Sequence, residues 1–312
     1  MLTSFMAGFY IFSNIIIMNI NQALNYYSKK LIEITKDYKI AYIETQILIS
    51  HSLNLSLPKL ISNALIELNE NEINKIETLI NRRLNFEPIA YITNKKEFYG
   101  VDFYVNNSVL IPRVETEEII DLIKEYINKK IDKKNKKFSV CDIGAGCGNI
   151  AITLKKLFEN ADITAIEISE KAIQVIKKNC ENILQNKNSI NIINADALSF
   201  TPKNKFDIVV SNPPYVALKD KDNLQRDLYF EPENALYSGY DGMDFYRNFF
   251  NIIDRYLKYN GAFFFEIGFN QGKELINICE SFNIKNAEIK KDLSGKDRFL
   301  ICYNYIANKK LD

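Results

Sequence analysis

Apolar residues recur at three- and four-residue steps between Asn21 and Leu84. Leu24, Tyr27, Leu31 and Ile34 make one stripe, and Ile73, Ile76, Ile80 and Leu84 make another. Such spacing lays one face of a helix against a core, so a small helical bundle is predicted, with Leu57-Pro58 opening one of its helices. After Phe98 the period changes to two. Val101, Phe103 and Val105 precede Asn106-Asn107, and Val109 and Ile111 follow, predicting a β-hairpin that turns at the two asparagines and links the bundle to the rest of the chain. Beyond it, short apolar runs alternate with helical stretches. Strands are expected near 138–143, 161–167, 190–194, 206–211, 261–266, 285–290 and 298–303, with Ser169 as the N-cap of one intervening helix. This alternation predicts a doubly wound, mostly parallel sheet. Only Lys291 to Lys296 separate the last two strands, too few for a parallel crossover, so those strands form an antiparallel hairpin at the sheet edge. The expected divisions are an N-terminal extension over 1–20, a helical domain over 21–95, a hairpin linker over 96–116 and an α/β domain over 117–312. The chain has no internal repeat and no long low-complexity segment.

The candidate chemistry sits where these strands end. Val140-Cys141-Asp142-Ile143 runs into Gly144-Ala145-Gly146-Cys147-Gly148, a turn whose glycines let a ligand approach the backbone. Its G-x-G-x-G spacing departs from the dinucleotide G-x-G-x-x-G, which weakens a nicotinamide assignment. The next strand ends in Glu167, 19 residues past Gly148, where an acidic side chain accepts ribose hydroxyls. A third leads to Asn194-Ala195-Asp196-Ala197, a place from which Asp196 could face an adenine. The fourth, Phe206 to Ser211, ends at Asn212-Pro213-Pro214-Tyr215. Neither proline can donate to a ladder, and a residue before proline is biased to extended backbone, so this is a stiff loop at a strand's carboxyl end. An amide oxygen, free carbonyls and an aromatic ring suit gripping a planar NH2 group. Taken alone, the tetrapeptide also reads as a proline-terminated turn with a packed tyrosine. Four such elements in order on successive strand ends favour the ligand site.

With these motifs the chain resembles the class I, S-adenosylmethionine-dependent methyltransferases, and within them the release-factor glutamine methyltransferases. The resemblance runs from about Asn21 to Tyr303. It includes Glu87-Pro88-Ile89-Ala90-Tyr91-Ile92, Lys96-Glu97-Phe98-Tyr99-Gly100 and Leu110-Ile111-Pro112-Arg113-Val114-Glu115-Thr116-Glu117. Further matches are Glu231-Pro232-Glu233-Asn234-Ala235-Leu236, Asp241-Gly242-Met243-Asp244-Phe245-Tyr246 and Phe265-Glu266-Ile267-Gly268. The implied architecture is α/β: a seven-stranded, doubly wound, Rossmann-like methyltransferase sheet with a small N-terminal helical domain and a linking β-hairpin. Carried over residue by residue, the resemblance implies that Gly144, Ala145, Gly146, Cys147, Gly148, Glu167, Asp196, Ala197 and Asn212 contact S-adenosylmethionine. It implies that Asn212, Pro213, Pro214 and Tyr215 hold a substrate glutamine, with Asn212, Pro213 and Tyr215 catalytic. Val114 stands where the family usually has a second proline, a change expected to loosen that loop. Relatives acting on a ribosomal protein usually read Pro-Arg-Ser-Pro, whereas this chain reads Pro-Arg-Val-Glu-Thr-Glu, which favours peptide chain release factors as substrate. Glu231 and Glu233 are expected to be surface charges.

Composition narrows this only slightly. Forty basic against 39 acidic residues in 312 give a net charge of +1, without the basic excess of a protein that neutralises phosphates. A nucleic-acid amino-methyltransferase, which also uses Asn-Pro-Pro-Tyr, and a ribosomal-protein methyltransferase are therefore the runners-up, followed by a catalytically silent module. Five cysteines, at 141, 147, 180, 279 and 302, include no C-x-x-C pair, as suits a reducing cytoplasm. His51 is the single histidine, and a structural or exposed role is expected for it, with no metal site. Phe5 to Ile20 is largely apolar but too short for a bilayer and interrupted by Ser13, Asn14 and Asn19. An over-extended reading frame beginning before Met18 is the preferred explanation, and a signal-like or partner-binding segment is the alternative. Lys129 to Lys137 is expected to be a solvated linker. A cytoplasmic monomer off the membrane is the overall expectation.

Overall fold

A computed structural model of the chain describes residues 11–12, 15–16, 18–130 and 137–306. Most of the apolar N-terminal stretch and of the lysine-rich linker lie outside the described residues. The chain divides into two compact units, one up to Asn94 and one from Lys95.

The first unit is helical. It contains α1 (Ile20–Thr35), α2 (Tyr38–Ser52), α3 (Leu57–Ser62), α4 (Glu70–Leu84) and α5 (Ile89–Thr93). Capping residues set the helix starts: Asn19 with Gln22 and Asn69 with Glu72 form reciprocal capping boxes, and Asp37 caps α2. Pro58 sits in the first turn of α3. The two predicted stripes face one core, in which Leu24, Tyr27, Leu31, Ile73, Ile76 and Ile80 are buried. Arg83, also buried, holds Glu44 through two hydrogen bonds of 2.8 and 3.0 Å, tying α4 to α2. His51 is exposed near the end of α2.

The second unit opens with a hairpin that pairs Lys95–Phe98 with Val101–Tyr104. Its turn is Tyr99-Gly100, with φ of 52° and 72°, the two positive values of a tight hairpin turn that follows strand twist. The expected turn at Asn106-Asn107 is therefore corrected. Val109 and Ile111 are buried, but in irregular chain, and their alternation reflects burial without a strand.

Behind the hairpin stands a seven-stranded sheet of β1 (Ser139–Ile143), β2 (Asp162–Glu167), β3 (Asn191–Asn194), β4 (Phe206–Ser211), β5 (Leu257–Glu266), β6 (Ala287–Lys291) and β7 (Asp297–Cys302). Their order is β6-β7-β5-β4-β1-β2-β3. The first five are parallel to one another, and β7 is antiparallel to both β5 and β6, its short connection to β6 requiring the second of these. Helices α6 (Glu117–Lys130), α7 (Asn149–Leu157) and α8 (Glu170–Leu184) belong to this unit, the last capped by Ser169. An aromatic cluster fills one face. Phe265 stacks on Phe263 at 4.9 Å and on Phe250 at 5.9 Å, with Tyr246 and Phe249 around it. All five cysteines are free and buried.

The chain lays down β1, β2 and β3 in one direction and then returns to place β4 on the other side of β1. That reversal opens a crevice at the carboxyl ends of β1 and β4, where ligands bind in such sheets. The register sets Ser211 level with Ile143 on one side and Phe265 on the other. Asn212, Gly144 and Glu266 are consequently neighbours at one rim.

Candidate active site

Gly144 and Gly146 take φ of +67° and +57°, and a Cβ at either would meet no atom within 4 Å. Gly144, Ala145, Gly146 and Cys147 line a cavity of about 300 Å³. Gly148 lies outside that lining, because a Cβ there would meet Ile152 at 3.0 Å and Ile176 at 3.1 Å. Its smallness serves the packing of α7 and α8. Burial pushes the Cys147 thiol up to about 12, which keeps it a small neutral filler.

Glu167 closes β2 with its side chain turned onto the turn. One carboxylate oxygen accepts the Gly146 N–H and the other the Ser169 N–H, each at 2.9 Å, and both oxygens retain a lone pair for a ligand hydroxyl. Asp196 and Ala197 line the same cavity. So do Ile168, Leu198, Pro214 and Phe245, which supply apolar walls. Asp142, Glu167 and Asp196 are its acidic members, Asp142 the least able to carry charge because burial favours its neutral form, and no lysine or arginine lines it among the described residues. A phosphate-rich ligand is poorly served there, whereas a cation is well served.

Asp142 is fully buried, and burial pushes its carboxyl up to about 8, with Glu167 adding to the rise against the Ala151 N–H, which favours the anion. In the unfolded chain an aspartate titrates near ~3.9. Between those values the folded protein holds a proton that the unfolded chain has released, so stability falls as pH rises across that window and levels off above it. Asp142→Asn, neutral throughout, is expected to flatten the dependence of melting temperature on pH between about 4 and 8. Parallel melting curves for the two proteins would contradict this.

At the end of β4, Asn212 lines both this cavity and an adjoining one of about 230 Å³ formed with Leu110, Arg113, Pro213, Tyr215 and Leu228. Asn212 Nδ2 donates to Thr116 Oγ1 at 3.1 Å, and Thr116 Oγ1 donates to Glu266 Oε2 at 2.6 Å. Asn212 Oδ1 is shielded from solvent and has no hydrogen-bond partner among the described residues. A buried unsatisfied acceptor costs free energy until a donor reaches it. Tyr215 gives its hydroxyl to the other oxygen of Glu266 at 3.1 Å, and its carbonyl accepts from Gln271 at 2.9 Å. Burial, reinforced by Glu266, holds the Tyr215 phenol far above its ordinary range. It is a donor and a packing surface at neutral pH, never a base.

The loop before α6 is pinned from across the chain. Glu231 is buried and accepts from Arg113 at 2.6 Å and from the Ile111 N–H at 3.0 Å. The expectation of a surface charge is thus corrected for Glu231, whose partners lie more than a hundred residues away in sequence. Glu233 is exposed and pairs with Lys221. Val114 is exposed, and the turn around it keeps the Thr116 N–H to Arg113 and Glu117 N–H to Val114 carbonyl bonds, so the missing proline leaves the loop formed. Asn179 had no signal in the sequence. Fully buried on α8, it accepts the Tyr104 N–H and donates to the Tyr104 and Cys147 carbonyls, fastening the hairpin to the glycine turn.

Comparison with known proteins decides what this rim belongs to. Residues 22–93 match the family model described as the PrmC N-terminal domain, and residues 113–241 match the methyltransferase small domain. A release factor glutamine methyltransferase of Clostridium acetobutylicum is 37% identical over 261 residues, covering 83% of this chain and 90% of that protein. The chain belongs to the release factor glutamine methyltransferase family. A relative of the same name from Flavobacterium psychrophilum is 38% identical over 239 residues, covering 75% of this chain and 82% of that protein. Among solved structures, the hMettl16 catalytic domain in complex with a MAT2A 3'UTR hairpin aligns with a TM-score of 0.52 at 14% identity, over 78% of this chain and 84% of that one. That likeness shows a shared fold. The family implies S-adenosylmethionine, and the cavity fits it: open space over two glycines, a strand-terminal carboxylate with spare lone pairs, and an acidic lining suited to a cationic ligand.

Proposed function

We propose that this protein transfers a methyl group from S-adenosylmethionine to the side-chain amide nitrogen of the glutamine in the Gly-Gly-Gln motif of peptide chain release factors. The observation that carries the reading is the unpartnered Oδ1 of Asn212, a residue that lines both the acidic cavity and a second, smaller one. Gly144, Ala145, Gly146, Cys147, Glu167, Asp196 and Ala197 hold the cofactor in this reading, with Asn212 at the border. S-adenosylmethionine, when bound, supplies an electrophilic methyl group on a sulfonium.

A glutamine amide nitrogen is a weak nucleophile because its lone pair is delocalised into the carbonyl. Asn212 Oδ1 and the Pro213 carbonyl accept its two N–H hydrogens, which orients the lone pair and stabilises the positive charge that develops on nitrogen. Leu110, Leu228 and Tyr215 enclose the side chain, and the surplus proton departs after the transfer. No base acts before attack.

A small amide gives little binding energy, so remote contacts with a folded partner must position it. The helical unit carries no chemistry of its own and exposes Ile40, Ile43, Ile61, Leu65 and Ile66, apolar area suited to a protein partner. It is assigned here as the release-factor recognition domain. In this reading the enzyme acts as a monomer in the cytoplasm. Among the described residues no helix is long and apolar enough to cross a membrane.

The test offers a labelled methyl donor with release factor, ribosomal protein and nucleic acid in parallel. Label in release factor, mapped by mass spectrometry to the glutamine of Gly-Gly-Gln alone, is the expected result, and label elsewhere refutes it. A chain beginning at Lys95 is expected to keep its cofactor affinity but to methylate release factor at least about tenfold less efficiently, corresponding to about 1.4 kcal/mol of lost positioning energy. A shortened enzyme as efficient as the whole would remove the recognition role from the helical unit.

A further inference from the structure

We infer that Thr116 and Glu266 are positioning residues that lock the Asn212 side chain with its oxygen toward the substrate amide, through the chain Glu266–Thr116–Asn212. The inference rests on the proposed methyl transfer to a glutamine amide. Its basis is hydrogen bookkeeping. Thr116 is buried, its hydroxyl carries one hydrogen, and it lies 2.6 Å from Glu266 Oε2 and 3.1 Å from Asn212 Nδ2. An ionised carboxylate only accepts. With Glu266 ionised, the Thr116 hydrogen is committed to it, and toward Asn212 the hydroxyl can offer only a lone pair. That lone pair takes the NH2 end of the amide and leaves Oδ1 as the free acceptor.

A neutral Glu266 would undo this order. It could donate to Thr116, whose own hydrogen could then turn to Asn212 and attract the oxygen end of the amide. The NH2 group would face the substrate's NH2, donor against donor. The groups that face Glu266 are Thr116 and Tyr215, which donate hydrogen bonds to its carboxylate, Arg298, whose charge favours the anion, Glu115, whose like charge opposes it, and Tyr246, whose hydroxyl donates to the Glu266 carbonyl. Arg298 is itself paired with Asp292 at 3.2 Å. Complete burial raises the Glu266 carboxyl above its ordinary value, opposed by Thr116, Arg298 and Tyr215. An acidic limb in the rate is the consequence, because protonation removes the arrangement.

Thr116→Val keeps the shape and removes the hydroxyl. With cofactor affinity checked by calorimetry, this variant is expected to lose about tenfold or more in kcat, while Thr116→Ser recovers most of the loss. Glu266→Gln, a mimic of the neutral form, is expected to show a low rate without the acidic limb of the parent. Because Thr116 acts only through Asn212, the Asn212→Ala, Thr116→Val double variant should be no slower than Asn212→Ala alone. Wild-type kcat in Thr116→Val, additive losses in the double variant, or an unchanged acidic limb in Glu266→Gln would overturn the inference. Failure of the underlying reading has a different signature: the unaltered enzyme would put no methyl group on release factor glutamine, or Asn212→Ala would turn over normally.

Discussion

Asn212→Ala is expected to lower turnover on release factor by on the order of 10²-fold, the usual effect of removing one preorganised hydrogen-bond partner from a transition state. The amide nitrogen becomes positive only as the new carbon–nitrogen bond forms, so an acceptor on its hydrogens gains strength at that moment. Loss of Oδ1 therefore falls on kcat more than on the Michaelis constant for release factor. Asn212 also lines the cofactor cavity, and the measurement belongs at saturating S-adenosylmethionine. Normal single-turnover rates in a folded Asn212→Ala protein would end the amide-acceptor mechanism. The surrounding structure makes a mere folding effect separable: the loop stays tied through the Tyr215 hydroxyl to Glu266 and the Tyr215 carbonyl to Gln271, neither of which involves the Asn212 side chain.

The parts of this site legible in the sequence are those built from consecutive residues. Buried parallel strands carry apolar side chains on both faces, so Val140 to Ile143 and Phe206 to Ser211 stand out, and the residues that end them follow at once. Glu167 and Asn212 could be placed on that basis alone. Residues that act across the sheet leave no such trace. Thr116 and Glu266 lie 150 positions apart, and Glu231 is 118 from Arg113, separations over which periodicity carries no information. Motif matches flagged these stretches without showing that Glu231 is buried or that Thr116 touches Asn212. The hairpin failed for another reason: Asn106-Asn107 has strong turn chemistry, whereas the real turn puts a tyrosine at positive φ, a local cost that the following Gly100 and the pairing of flanking strands outweigh.

Gly146→Val is expected to weaken S-adenosylmethionine binding by about 5-fold to ~10²-fold, from the ~1–3 kcal/mol typical of overfilling a packed space. Two effects converge at this position. The backbone has φ of +57°, where a side chain costs about 1–2 kcal/mol, and the added methyl groups would enter the open space above the turn, in the cavity Gly146 lines. The N–H of residue 146 still reaches Glu167, so the turn itself has reason to persist. Gly148→Ala provides the contrast. Its φ is +81°, and its Cβ would press on Ile152 and Ile176, inside the protein and away from the cavity. The second variant should therefore lose melting temperature while its folded molecules bind the cofactor nearly as before. Calorimetric titration paired with thermal melting reads both quantities. If Gly146→Val binds normally, or if both variants lose affinity and stability in the same proportion, the glycine turn is a folding element and the cofactor lies elsewhere.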